Sequence, residues 1–90
     1  MTQIGPGSLK CVVAAAPDEL NAIVPILMQK VGEADVRAFG ASAVLLHTEE
    51  EAAGVRDWLH SAGEVLVVEF ETWSGSGDEV PREWLLGRGH

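Results

Sequence analysis

The sequence contains a single cysteine, Cys11, among its 90 residues. One cysteine can form no disulfide within the chain and can supply no cysteine-rich metal site. Because many small domains depend on such cross-links, this chain has to rely on its apolar core instead. The scarcity of cysteine also fits a reducing compartment, and we expect a cytoplasmic protein.

Basic residues are also few: six lysines and arginines stand against 14 aspartates and glutamates, a formal net charge of −8. This balance argues against a broad phosphate-binding surface, so direct binding of nucleic acid is not expected. Composition leaves room for a local basic spot or a metal-mediated contact. No apolar run approaches the ~18 residues of a membrane span, and residues 1–8 contain no basic stretch followed by an apolar core. We therefore expect neither a membrane segment nor a secretory signal.

Apolar residues make up 47% of the chain, which is ordinary for a globular domain. A chain of this length forms one domain and buries only roughly 60–65% of the surface of its unfolded state. Part of its apolar surface is then available to a partner. We expect a homodimer or a complex with another protein.

The first half of the chain predicts a strand and a helix after a flexible N-terminal arm at residues 1–8. Residues 9–16 form a continuous apolar run, typical of a central strand that is covered on at least one face. Pro17 begins a helix with apolar residues at helical spacing, and Gly32 ends it. Pro25 lies inside this helix, where proline removes a backbone hydrogen bond. It either kinks the helix or splits it into two pieces.

The second half predicts a hairpin, a helix and a long strand. Residues 35–39 and 42–47 form two short strands around Gly40. Thr48 and Glu51 have the spacing of a capping box, which indicates the start of the next helix, and Gly63 is its predicted end. Residues 64–73 form the last strand. Its alternation places Leu66, Val68 and Phe70 on one face and Glu69, Glu71 and Trp73 on the other.

This order of elements predicts an α+β fold of the ferredoxin-like type, β-α-β-β-α-β, at residues 9–73. The four strands would form one antiparallel sheet with both helices on one face and the second and fourth strands at its edges. Residues 74–90 add a flexible Ser-Gly link and a short C-terminal helix, predicted at 78–87.

No residues form a catalytic, cofactor or metal signature. The three histidines, His47, His60 and His90, lack the spacing of a metal-binding pair. Cys11 lies among valines in a predicted strand with no adjacent base, so we interpret it as a core residue. The glycines at 5–7 and 74–77 do not form a phosphate-binding loop, because neither group stands between a strand and a suitable helix. We predict no catalytic residue, no cofactor and no metal ligand.

Six residues near the C-terminus are candidates for contact with a partner. Glu69 and Glu71 project from the same strand face, where they would meet solvent, a cation or a partner's arginines. Trp73 and Trp84 flank the Ser-Gly link, and large aromatics left over from a small core often anchor interfaces. Leu85 and Leu86 continue this apolar segment. In the alternative interpretation, the tail folds back and packs within one chain. The sequence does not distinguish between the two.

Three segments resemble a known family: F-G-A-S-A-V-L-L-H-T at 39–48, V-R-D-W-L at 55–59 and E-V-L-V-V-E-F at 64–70. They resemble the second half of small CRISPR-adaptation endonuclease-like (SinR-type) proteins. The resemblance implies a ferredoxin-like dimer; some such proteins bind nucleic acid with a metal held by an aspartate that ends the first strand. This chain has Ala14-Ala15-Ala16 there, and Asp18 follows only after Pro17. The resemblance therefore implies the fold and the dimer rather than nuclease activity.

The sequence favours a non-enzymatic interaction or regulatory module that is dimeric and uses its sheet surface and C-terminal segment. One alternative is a metal-dependent nuclease-like or small-ligand enzyme with Asp18, Glu69 or Glu71 as ligands. Another is an acidic protein that occupies the basic nucleic-acid site of a partner.

Overall fold

A computed structural model describes residues 9–77 and 80–87, apart from the side chain of Pro17. The predicted arm at 1–8, the first two residues of the predicted tail helix and His90 lie outside the described residues. The strands are β1 (Leu9–Ala14), β2 (Val36–Phe39), β3 (Ala43–His47) and β4 (Val65–Phe70). The α-helices are α1 (Leu20–Val31), α2 (Ala52–Trp58) and α3 (Arg82–Gly87), with short 3-10 turns at Pro17–Glu19 and Glu33–Asp35. Across these residues no helix is long and apolar enough to cross a membrane.

The four strands form one open antiparallel sheet in the order β2-β3-β1-β4. β1 pairs with β3 on one side and β4 on the other, and β2 pairs with β3. The α+β class and the four-stranded antiparallel sheet are thus confirmed. β2 and β4 are the outer strands, so each has one edge without a neighbouring strand among the described residues.

The main core lies between α1, α2 and one face of the sheet. Alternate residues of the strands point into it, because successive side chains of a strand project to opposite faces. Its buried members are Val12, Ala14, Leu20, Ile23, Leu27, Val36, Val44, Leu46, Val55 and Leu59. A second, smaller cluster on the other face of the sheet contains Leu9, Leu45 and Leu85.

Helix α1 continues through Pro25, so this proline does not split the helix into two pieces. Pro25 lies on the exposed side of α1, and so does Asn21, whose carbonyl would otherwise accept the missing hydrogen bond. Water can satisfy that carbonyl, which makes proline tolerable at this position. Gly32 ends the helix with φ of 93°, and its N–H donates to the Met28 carbonyl at 2.9 Å. Glycine adopts this conformation without the steric penalty of a side chain.

Two predicted elements are shorter than their sequence patterns indicated. The last strand ends at Phe70, three residues before the predicted end. Helix α2 ends at Trp58, and a tight turn follows in which the Leu59 N–H donates to the Arg56 carbonyl. Leu59 lies just past the end of the helix but remains fully buried in the main core.

The predicted capping box is wrong. Thr48 Oγ1 accepts a hydrogen bond from the Glu50 N–H, and Glu50 Oε1 accepts one from the Glu51 N–H. Glu51 is the residue before α2 and makes no side-chain capping bond. The acidic segment therefore forms a local turn of its own, and the helix begins later than the spacing of Thr48 and Glu51 predicted.

Candidate functional site

The face of the sheet opposite α1 and α2, called the open face below, is the main candidate for a functional surface. Its side chains form three rows that run across the strands. The first row contains Phe70, Leu9 and His47; the middle row contains Val68, Cys11, Leu45 and Arg37; the last row contains Leu66, Val13, Ala43 and Phe39. The open face is thus largely apolar although the two core helices lie on the other side.

Four large apolar side chains of the open face are exposed to solvent. Val13 is 37% exposed, Phe39 40%, Leu66 61% and Val68 42%. All belong to the middle and last rows, so they form one contiguous patch. Contiguous exposed apolar patches of several hundred Å² mark interaction sites in soluble proteins more often than isolated exposed residues do.

The C-terminal segment (residues 73–77 and 80–87) covers the first row and Leu45 of the middle row. Leu85 of α3 is only 2% exposed and packs against Leu9 and Leu45. The indole Nε1–H of Trp84 donates to the Ala34 carbonyl at 2.8 Å, which ties α3 to the loop before β2. The segment therefore packs within the chain. Among the described residues, Val13, Phe39, Leu66 and Val68 of the open face remain exposed.

The six predicted partner-binding residues occupy different environments. Trp73, Trp84 and Leu85 belong to the small cluster on the open face. The tail helix therefore packs within the chain, as the alternative interpretation predicted. Glu71 and Leu86 are exposed, and Leu86 is 64% exposed on α3. The structure does not bring the six together into one surface.

Glu69 lies on the helix side of the sheet, opposite Lys10 in the β1–β4 register. The Lys10 side chain is fully buried, its Nζ donates to the Thr48 carbonyl at 3.0 Å, and it lies 3.5 Å from Glu69 Oε1. The prediction that Trp73 shares a face with Glu69 is wrong, because β4 ends at Phe70 and Trp73 packs on the open face. The alternation of β4 therefore holds only to Phe70.

Replacement of Lys10 separates the packing of its aliphatic stem from the role of its charge. Lys10→Met keeps the stem but removes the donor to Thr48, and we expect a loss of about 1–2 kcal/mol in the free energy of unfolding. Lys10→Ala also leaves a cavity, and we expect a loss of about 3–4 kcal/mol. Urea denaturation of both variants measures the difference. Equal losses would contradict the proposed role of the stem, and Glu69→Gln, at a half-exposed partner, is the control with an expected effect below about 1 kcal/mol.

Cys11 occupies the centre of the open face, between Leu45 and Val68 on the neighbouring strands. The thiol is partly buried, and this burial raises its pKa because it disfavours the thiolate. Among the described residues, no hydrogen bond joins the Cys11 thiol to a base. A raised pKa is the opposite of what a nucleophilic cysteine needs, so Cys11 is a neutral, apolar part of the surface.

Among the described residues, the other polar side chains that could bind a metal do not cluster. His47 Nδ1 lies 3.8 Å from Asp35 Oδ1, and His60 Nδ1 lies 3.2 Å from the Asp57 carbonyl. Over residues 9–77 and 80–87, no three histidine, cysteine or acidic side chains form a group that could hold a metal ion. Asp18 follows the far end of β1, whereas Glu69 is opposite Lys10 near its start, and the strand from Lys10 to Ala14 alone spans about 13 Å.

The exposed apolar residues of the open face were not among the predicted site residues. A signal for them is present in the sequence, since residues 65–68 and 11–14 are apolar at both even and odd positions. A strand with only one buried face alternates between apolar and polar residues. With both predicted helices on one side, this continuous apolar pattern indicates a second apolar face.

Comparison with known proteins gives no further assignment: no family model, no curated protein and no solved structure matches the chain.

Proposed function

We propose that the protein is a small, non-enzymatic interaction module that binds a second copy of itself through the uncovered part of the open face. The exposure of Val13, Phe39, Leu66 and Val68 on one contiguous patch carries this proposal. Burial of apolar surface is the dominant favourable contribution to most protein association, at about 25 cal/mol per Å².

The charge of the chain favours this patch as the contact between two copies. Each copy has a formal net charge of −8, so two copies repel each other over most of their surfaces. The last row of the open face, together with Val68 and Cys11, contains no ionisable carboxylate or ammonium group. Two copies that meet there keep their acidic side chains in water and bury only apolar groups.

The size of the open face predicts a weak, concentration-dependent dimer. Four strands ~4.8 Å apart and about five residues long, at ~3.3 Å per residue, present a face on the order of 300 Å² in projection. Stable interfaces bury roughly 800 Å² of accessible surface on each partner. We therefore expect a dissociation constant on the order of 10 μM or weaker.

We further propose that the fold is ferredoxin-like. The element order from β1 to β4 and the outer positions of β2 and β4 support this classification. The resemblance of residues 39–48, 55–59 and 64–70 to CRISPR-adaptation endonuclease-like proteins implies the same fold and a dimer. Dimerisation is the part of that resemblance that the open face supports.

The reactivity of Cys11 tests the proposal without any substitution, because it is the only cysteine in the chain. We expect the second-order rate constant for alkylation of Cys11 at pH 8 to be several-fold lower in concentrated than in dilute protein, because a second copy covers Cys11 in the dimer. N-acetylcysteine in the same solution corrects for loss of reagent. A rate constant that does not change with protein concentration, together with a monomer in light scattering at every concentration, would contradict the proposal.

A further inference from the structure

A small apolar pocket lies between the open face and the C-terminal segment. Its volume is about 140 Å³. The sheet contributes Phe39, Leu45 and Phe70 to its wall, and the C-terminal segment contributes the opposite wall. That wall is formed by Trp73, Ser74, Gly75, Val80, Pro81 and Leu85.

The lining of the pocket determines the chemistry of its ligand. None of the lining residues carries a charged side chain, and three are aromatic. A polar ligand would lose its hydrogen bonds to water here and find few replacements. An apolar cavity of about 150 Å³ is large enough to accept benzene, so the volume of this surface pocket sets the size of the ligand as well.

Two hydrogen bonds from Arg82 join parts of the C-terminal segment beside the pocket. Arg82 Nη1 donates to the Gly77 carbonyl at 2.9 Å, and Arg82 Nη2 donates to the Gly75 carbonyl at 3.0 Å. A Cβ atom at Gly75 would lie 2.9 Å from Val80 Cγ1, which is closer than ordinary contact allows. Glycine at position 75 thus lets the link approach Val80, and the two Arg82 hydrogen bonds hold the link beside α3.

We propose that this pocket binds a small apolar ligand of about the size of a benzene ring. The site is distinct from the proposed contact between two copies, because most of its lining belongs to the C-terminal segment. Phe39 is the one residue that contributes both to the pocket and to the exposed patch. The inference therefore does not depend on self-association.

Titration with benzene tests the proposal on the native chain, at a concentration at which light scattering finds a monomer. Methyl NMR spectra are expected to shift selectively at Leu45, Val80 and Leu85, with the Val13 and Leu66 methyls unchanged. The midpoint of thermal unfolding is expected to rise with benzene concentration, because the ligand binds only the folded state. Shifts confined to Val13 and Leu66, or equal small shifts at all methyls, would overturn the proposal.

A matched pair of substitutions locates the site. Val80→Phe places a ring in the pocket, and we expect it to weaken benzene binding at least tenfold. Val68→Phe adds the same ring to the exposed patch and is expected to leave benzene binding unchanged. Val80→Ile, which adds only one methylene, is expected to weaken binding severalfold and serves if Val80→Phe does not fold. Unchanged affinity in a folded Val80 variant would contradict the assignment of the pocket.

Discussion

Replacement of Leu66 by aspartate is expected to abolish self-association while the fold is retained. Leu66 is 61% exposed on the outer strand β4, so the new carboxylate is hydrated in the monomer. A dimer that covers this position would have to desolvate two carboxylates, at several kcal/mol each. Because 1.4 kcal/mol corresponds to tenfold, the dissociation constant should rise by about 100-fold or more. Sedimentation equilibrium over a wide range of protein concentration measures it.

Leu86→Asp is the matched control for this experiment. Leu86 is 64% exposed, almost the same as Leu66, but it lies on α3 in the C-terminal segment. The same substitution there adds the same charge to the chain and should leave the dissociation constant within about threefold of the original value. If Leu86→Asp dissociates the dimer and Leu66→Asp does not, the contact lies on the tail helix rather than on the open face.

Replacement of Leu85 by alanine is expected to give a large loss of stability although Leu85 lies outside the main core. Leu85 is 2% exposed and packs against Leu9 and Leu45. Leucine-to-alanine changes at such sites remove buried carbon atoms and leave a cavity, at about 2–4 kcal/mol. Urea denaturation, followed by far-ultraviolet circular dichroism, measures the free energy of unfolding.

The adjacent leucine again provides the control. Leu86→Ala removes the same atoms from the same helix at a position that is 64% exposed, and we expect a change within about 0.5 kcal/mol. Equal losses in the two variants would mean that α3 does not pack against the first row. The first row would then be exposed as well.

Local patterns in the sequence predicted the main elements of the fold well. The apolar run that begins at Leu9, the helical spacing before Gly32 and the hairpin around Gly40 each depend on neighbouring residues, and each element is present. Boundaries depend on tertiary contacts instead. Trp73 continues the alternation of β4 in sequence, but it lies past the end of the strand and packs against the cluster of Leu9, Leu45 and Leu85.

The candidate site was harder to predict, for a physical reason. The sequence identified Trp84 and Leu85 as apolar residues that need burial, but it could not determine whether the tail packs on its own chain or on a partner. The hydrogen bond from Trp84 to the Ala34 carbonyl joins residues 50 positions apart, so no local pattern encodes it. Once the tail covers the first row, the exposed patch is found on Val13, Phe39, Leu66 and Val68.

The central claim is that a second copy covers the open face, and isotope-filtered NMR tests it most directly. A sample that mixes ¹³C-labelled and unlabelled chains gives cross-peaks only between atoms of different copies. We predict intermolecular cross-peaks at the methyl groups of Val13, Leu66 and Val68, which grow with protein concentration. Cross-peaks confined to α1 and α2, or none at a concentration at which sedimentation finds a dimer, would contradict the account.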